Sequence, residues 1–445
     1  MKPQDSIASP DFLHQFFRLA AVNVLSNLMV PLAGLVDIAF LGHLAEIRHL
    51  AGVALATVLF NYIYWTFGFL RMGTTGMTAQ AVGRNDSNAV LAIGLRHGLI
   101  ALGLGLLILL LQVPLQAIGF TLLSAAPEVK IAGQDYYHAL IWGAPATLIN
   151  FVLIGWFLGR GQSGKVLFLS CLSNGGNVLL DYWFVGRLGW ASAGAGGATA
   201  LSQYLMLFGG ILLLSREICW QQIQTVWGSL FERSALRELF MLNGEILIRT
   251  FALVSTFALF TNLSSAFGTA ILTTNAILLQ VVTFAAYFID GLAFATESFA
   301  GVYRGQGRVS GLSQLLRVSG IASFVVGILF ATAFILFPHP LFRLLTDHET
   351  ILDRLQQDVI WLLPVLGFGS IAYMLDGYFL GLTEGKFLRQ AVLIAALVGF
   401  APLAIVAWYC HSVVLLWLAL VLFMMLRSVA LAWQIPKTLN SRNFL

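Results

Sequence analysis

The residues able to do chemistry here are polar groups stranded in apolar sequence. Asp37 sits in "PLAGLVDIAFLGHL" and Asp181 in "NGGNVLLDYWF", with Asn177 four residues earlier on the same helical face. Asn150 and Thr199 could add neutral oxygen ligands. Further along come Arg249, Asp290, Glu297 and Asp376; Asp290 and Glu297 are two helical turns apart and share a face. A carboxylate in mid-bilayer costs about 2.5–3.5 kcal/mol on insertion scales, so such groups usually line a wet pathway, where they bind and release protons or cations. Each has a plainer reading. Asp37 and Asp181 could sit at the interface and be solvated, and Asn150 and Thr199 could be helix-packing hydrogen bonders. Arg249 with Asp290 or Asp376 could be a fixed ion pair. Glu297, eight residues before Gly305, is expected to approach the cytoplasmic mouth.

Helices must position these groups. Hydrophobic residues form 59% of the 445-residue chain and charged ones 10%, against about 25% charged in soluble domains. Runs of about 20 apolar residues recur, and a lipid-embedded backbone must satisfy its own hydrogen bonds, so the runs are helices. Twelve spans are expected: 17–42, 50–72, 90–112, 131–158, 165–185, 193–215, 243–267, 272–298, 315–337, 353–382, 388–409 and 412–434. The fold class is all-α and polytopic. The polar leader "MKPQDSIASPDFLHQFF" has no apolar core, so a cleaved signal peptide is not expected.

Placing the N-terminus inside puts 17 of the 24 Lys and Arg residues, Arg427 among them, on the cytoplasmic side and five opposite, with Arg71 and Arg249 in spans. Both termini are therefore expected in the cytoplasm. The net charge of +4 reflects this asymmetry and does not point to nucleic acid. Cys171, Cys219 and Cys410 have no paired spacing, which excludes a zinc or redox framework.

The chain repeats itself. "GWFLGRGQSGK" begins at Gly155 and "GYFLGLTEGK" at Gly377, half the chain further on; "AQAVGRND" and "AGVYRGQGR" reach Gly83 and Gly305 at the same offset. Each copy holds six spans, an even number, so the halves are parallel repeats about an axis along the membrane normal. They divide as 1–220 and 221–445, joined by an amphipathic cytoplasmic linker at about 216–240. Gly159–Lys165 fits the phosphate-loop pattern G-x-x-x-x-G-K, but Val166 stands where a Ser or Thr must hold magnesium, no strand precedes it, and the second copy is one residue short. Nucleotide binding is excluded; the glycines are expected to permit a tight turn between helices.

Six ordered motifs carry a resemblance across essentially the whole chain: "SNLMVPLAGLVDIAFLGHL" (26–44), "FLRMGTTGMTAQAVGRND" (69–86), "NVLLDYWF" (177–184), "GATALSQ" (197–203), "FIDGLAFATE" (288–297) and "MLDGYFLG" (374–381). The chain resembles the multidrug and toxic compound extrusion (MATE) transporters, in their branch of DNA-damage-inducible F proteins. The resemblance implies two six-helix lobes in a V around a central cavity, and efflux of organic, often cationic or amphiphilic, compounds against inward proton or sodium flow. It also implies an N-lobe cation site, which maps onto Asp37, Asn177, Asp181, Thr199 and Asn150. One departure is Val22, where the branch usually has proline early in the first span; bending there must come from elsewhere, near Pro31.

The expected function is thus secondary antiport. Two carboxylates in a sparsely hydrated space cannot both stay ionised cheaply, and taking up a proton relieves the cost. Carboxylates outnumber neutral oxygens, which favours a proton, with sodium at Asp181, Asn177 and Thr199 as the alternative. Small organic substrates and membrane lipids are the expected partners, the protein is expected to be a monomer of the bacterial inner membrane, and no cofactor is implied. A lipid or lipid-linked precursor flippase is the alternative, although it would call for more arginines than Arg71 and Arg249. Membrane enzymes are excluded by the lack of a nucleophile elbow or an H-E-x-x-H motif. His43, His49, His339, His348 and His411 are dispersed in loops.

Overall fold

The computed structural model describes residues 10–42, 46–123 and 125–440; within the first helix the side chains of Pro10, Val30, Ala33, Leu35, Asp37 and Ile38 lie outside that description. The described residues are helical, without strand. Twelve long helices are numbered as spans: α1 Pro10–Gly42, α2 Ile47–Gly83, α3 Ser87–Leu110, α4 Pro127–Gly159, α5 Ser163–Asp181, α6 Ala191–Ser215, α7 Arg233–Ala266, α8 Thr269–Gly305, α9 Val309–Leu336, α10 Glu349–Gly381, α11 Gly385–Cys410 and α12 Val413–Ala432. Ten are long and apolar enough to cross a bilayer by length and hydropathy. α5 is more polar, carrying Ser170, Ser173, Asn174, Asn177 and Asp181, and α1 runs unbroken through Val22 and Pro31.

Every expected span has its helix, with edges moved. The second runs on to Gly83, interrupted where Phe67 leaves helical geometry and its N–H reaches the Tyr64 carbonyl at 3.1 Å. Short helices were not foreseen at Gln112–Leu122, Pro338–Arg343 and, in the linker, Trp220–Trp227.

By backbone contacts the chain forms two units. One is Leu25–Leu239; the other is Phe240–Leu445 together with the start of α1 up to Val24. The linker therefore packs with the first unit. The core of the second unit gathers around Trp417, Phe260 and Phe423, all fully buried. The Trp417 indole N–H donates to Asn275 Oδ1 at 3.0 Å, so its polar edge is satisfied inside the bundle.

The duplicated pentapeptide has a packing purpose. A Cβ on Gly155 or Gly159 of α4 would collide with the backbone carbonyls of Arg71 and Thr75 on α2. A Cβ on Gly377 or Gly381 of α10 would collide with those of Ala293 and Glu297 on α8, the same pairs one repeat later. Small residues one turn apart let two helix backbones touch, which is how helices associate where lipid removes the hydrophobic drive. Gly159, expected to permit a tight turn, instead closes a helix–helix contact. Gly161, just beyond, does serve the turn, with φ of 67°.

Candidate functional site

Three helices of the first unit bring polar groups together. On α6, Thr199 and Gln203 are one turn apart and so present the same face. Each is held by an asparagine from a different neighbour. Asn177 of α5 donates through Nδ2 to Thr199 Oγ1 at 3.4 Å, while Thr199 donates to its own Ala195 carbonyl at 3.0 Å. Asn150 of α4 donates through Nδ2 to both the Gln203 backbone carbonyl, at 2.9 Å, and Oε1, at 3.1 Å. Asn150 and Asn177 are buried, and Asp181, one turn beyond Asn177, is wholly so.

Asp181 is also where α5 changes form. The helix widens into a π-turn over Tyr182–Arg187, and the Leu188 N–H reaches back five residues to the Trp183 carbonyl at 3.0 Å. Such turns often occur at functional positions, because they redirect side chains and loosen the carbonyl ladder.

Of the residues expected in this site, Asn150, Asn177 and Thr199 are joined in one set, with Asp181 next along α5. Asp37 lies on α1, and its side chain is outside the described residues. Gln203 was missed, although its spacing from Thr199 is the same signal that tied Asn177 to Asp181. The amide nitrogens of Asn150 and Asn177 are committed to donating, and Asn150 Oδ1 has no partner among the described residues. With Thr199 Oγ1 and the Asp181 carboxylate, the set offers oxygens to a small cation. Among the described residues no three His, Cys, Asp or Glu side chains cluster as a metal site.

The second unit contains a different constellation. Asp376 of α10 is gripped through one carboxylate oxygen by two guanidinium groups, Arg249 of α7 and Arg427 of α12. All three side chains are buried, Arg427 completely. Arg427 also lies over the Tyr373 ring, 5.1 Å from its centroid. Asp290 of α8 acts electrostatically on both Tyr373 and Arg427. Arg427, counted by sequence among the cytoplasmic charges, is instead a core residue; its position near the end of an apolar run hid a buried partner on a distant helix. Glu297 lies on α8. Its side chain is completely buried, and its backbone carbonyl lies against Gly381 of α10.

The MatE family model matches residues 23–183 and 246–410, one match in each half. The chain is 34% identical over 424 residues to DNA damage-inducible protein F of Escherichia coli, covering 94% of this chain and 90% of that one. It is 25% identical to the chloroplastic Protein DETOXIFICATION 44 of Arabidopsis thaliana, covering 91% and 78%. Among solved structures, an MOP-superfamily transporter from Pyrococcus furiosus superposes with a TM-score of 0.86 at 20% identity, covering 96% of this chain and 95% of the other. An outward-facing multidrug resistance MATE transporter gives 0.85 at 20% identity and the same coverage. The chain therefore belongs to the MatE family, the multidrug and toxic compound extrusion transporters, which are membrane carriers and not enzymes.

Proposed function

We propose that this protein is a secondary antiporter exporting organic, cationic or amphiphilic compounds by alternating access, driven by protons, with sodium as the alternative coupling ion. The observation that carries the assignment is the buried set Asp181, Asn177, Thr199, Asn150 and Gln203 in a chain whose relatives include proteins named for multidrug resistance. Asp181 is its ionisable member, and Asp37 would complete a pair of acids. A proton taken up there neutralises charge in a place that solvates charge poorly. Releasing it restores an anion able to attract a cationic substrate.

The coupling ion belongs to the first unit. In the second, two guanidinium groups already hold Asp376 and repel any further cation, so that cluster is an ion-pair scaffold joining α7, α10 and α12. The same geometry argues against a pyrophosphate-lipid flippase, because Arg249 and Arg427 are committed to a carboxylate. The driving force suffices: one charge crossing 100 mV releases about 2.3 kcal/mol. At about 1.4 kcal/mol per tenfold, that sustains roughly a 50-fold gradient of a neutral substrate.

Moving Arg427 to the core leaves 16 basic residues on the linker side against five opposite, so both termini face the cytoplasm of a bacterial inner membrane. The protein works as a monomer. The test is efflux of lipophilic cations from proteoliposomes under imposed pH or sodium gradients. Transport that follows the pH gradient and is lost in Asp181→Asn supports the reading. Transport that ignores both gradients, or survives intact in that variant, overturns it.

A further inference from the structure

The linker between α6 and α7 is fixed to the first unit at both ends. Glu217 accepts a hydrogen bond from Arg160 at 2.6 Å and pairs with Lys165, while the Arg160 guanidinium stacks 4.2 Å over the Trp156 ring. At the far end Arg96 of α3 donates to the backbone carbonyls of Ser229, at 2.6 Å, and Leu230, at 3.1 Å. Between these clamps Ile218, Ile223, Val226 and Leu230 seat on Leu91, Ala92 and Leu95 of α3. The rotation of the linker helix about its own axis is therefore set.

That rotation leaves a second apolar stripe facing outward. Trp220 and Trp227, seven residues and two turns apart, are 68% and 56% exposed, and Phe231 in the following turn is 67% exposed. The polar side chains Gln221 and Thr225 lie on the far side of the helix. The apolar arc is thus wider than the seat on α3 needs. We propose that this stripe is a membrane-surface anchor, with Trp220, Trp227 and Phe231 inserted among the lipids of the leaflet on the linker side.

Three observations select lipid over a protein partner. The linker starts at the end of one span, Ser215, and finishes at the beginning of another, Arg233, so both its ends are held at one face of the bilayer. The last turns of α6, a helix apolar enough to cross a bilayer, expose Phe208, Ile211 and Leu212, so apolar surface is exposed on the span that leads directly into the linker. Tryptophan suits this depth, its ring being apolar and its indole N–H able to reach water or headgroups. Residues 216–233 carry two arginines and two glutamates, no net charge, so the attachment is by insertion and not by attraction to anionic headgroups. The proposed topology enters only in calling this leaflet cytoplasmic.

The test uses the full chain in phosphatidylcholine nanodiscs, where neither side is privileged and no transport is read. In a background of Cys171→Ser, Cys219→Ser and Cys410→Ser, a nitroxide is attached through Trp227→Cys or Thr225→Cys. The label at 227 should collide several-fold more with oxygen than with a chelated nickel relaxer, and the label at 225 should show the reverse. A separate protein keeps Cys219, which is exposed at the start of the linker helix, as its one cysteine. There, adding Trp220→Ser with Trp227→Ser should raise nickel access to the label. Equal nickel access at 225 and 227, no response of Cys219 to the serine pair, or a depth that tracks added phosphatidylglycerol would each overturn the anchor.

Discussion

Thr383 occupies the left-handed backbone position that Gly161 fills in the first copy of the repeat, with φ of 57° against 67°. The two turns close with the same backbone bonds: Gln162 N–H to the Phe157 carbonyl at 2.8 Å, and Glu384 N–H to the Phe379 carbonyl at 3.0 Å. A β-branched residue is strained there, whereas glycine is not. Thr383→Gly should therefore stabilise the protein by about 1 kcal/mol, seen as a higher unfolding midpoint in detergent, and Gly161→Thr should lower it by a similar amount. No change in either variant would mean that the threonine hydroxyl, which donates to the Leu382 carbonyl at 2.7 Å, offsets the strain.

The glycines that close the helix pairs should tolerate no side chain. A Cβ on Gly159 would lie 2.6 Å from the Thr75 carbonyl oxygen and 2.7 Å from Thr78 Cβ. Gly159→Ala should cost about 1–3 kcal/mol, while Gly164→Ala, in open space a few residues on, should leave the unfolding midpoint unchanged. Thermal unfolding of the two purified variants compares them directly.

Asp376 and Asp181 should fail in different ways. Asp376→Asn leaves Arg249 and Arg427 buried without their carboxylate, which should cost about 3–5 kcal/mol and show as poor yield and early unfolding. Asp181→Asn should fold normally and lose gradient-driven transport. If Asp376→Asn were stable and only uncoupled, the scaffold assignment would be wrong.

Gln203→Leu removes the side-chain acceptor of Asn150 but not the backbone one, so it should fold. Its effect should fall on ion dependence: a shifted pH profile of transport, with a smaller change in maximal rate. An unaltered profile would place Gln203 outside the coupling set.

At the turn after α10, burial pushes the Glu384 carboxyl above its ordinary range, and Arg304, 3.9 Å away, pulls part of that shift back. A carboxyl with a raised folded-state value binds its proton more tightly folded than unfolded. Stability from this group is therefore present below the ordinary value of 4.5 and declines as pH rises through the raised one. Unfolding midpoints measured across that window should slope less in Glu384→Gln than in the parent protein.

How much of this was legible in the sequence depended on how local the signal was. Twelve helices follow from apolar runs that need no partner to be recognised. The repeat offset also follows from the sequence alone, but its purpose did not, because the carbonyls of Arg71 and Thr75 that Gly155 and Gly159 touch belong to a helix two spans earlier. Arg427 was assigned to the wrong solvent for the same reason. A charge near the end of an apolar run reads as interfacial until Asp376, on another helix, is seen beside it. Asn177, Asp181 and Thr199 were readable as polar residues at helical spacing. Gln203 satisfied the same rule, but what marks it is its contact with Asn150 on another helix, which the sequence does not show. The linker was legible as amphipathic, whereas its second apolar stripe required knowing which side α3 covers.

The grip on Asp376 has a consequence for synthesis. Arg427 lies on α12, which leaves the ribosome after α7 and α10, so Arg249 and Asp376 reach the bilayer before it. α12 then brings its guanidinium to a carboxylate that precedes it, which eases the entry of a charge that lipid alone would resist. A chain truncated before α12 would lack this last fastening, and quality-control proteases should clear it faster than one truncated just after.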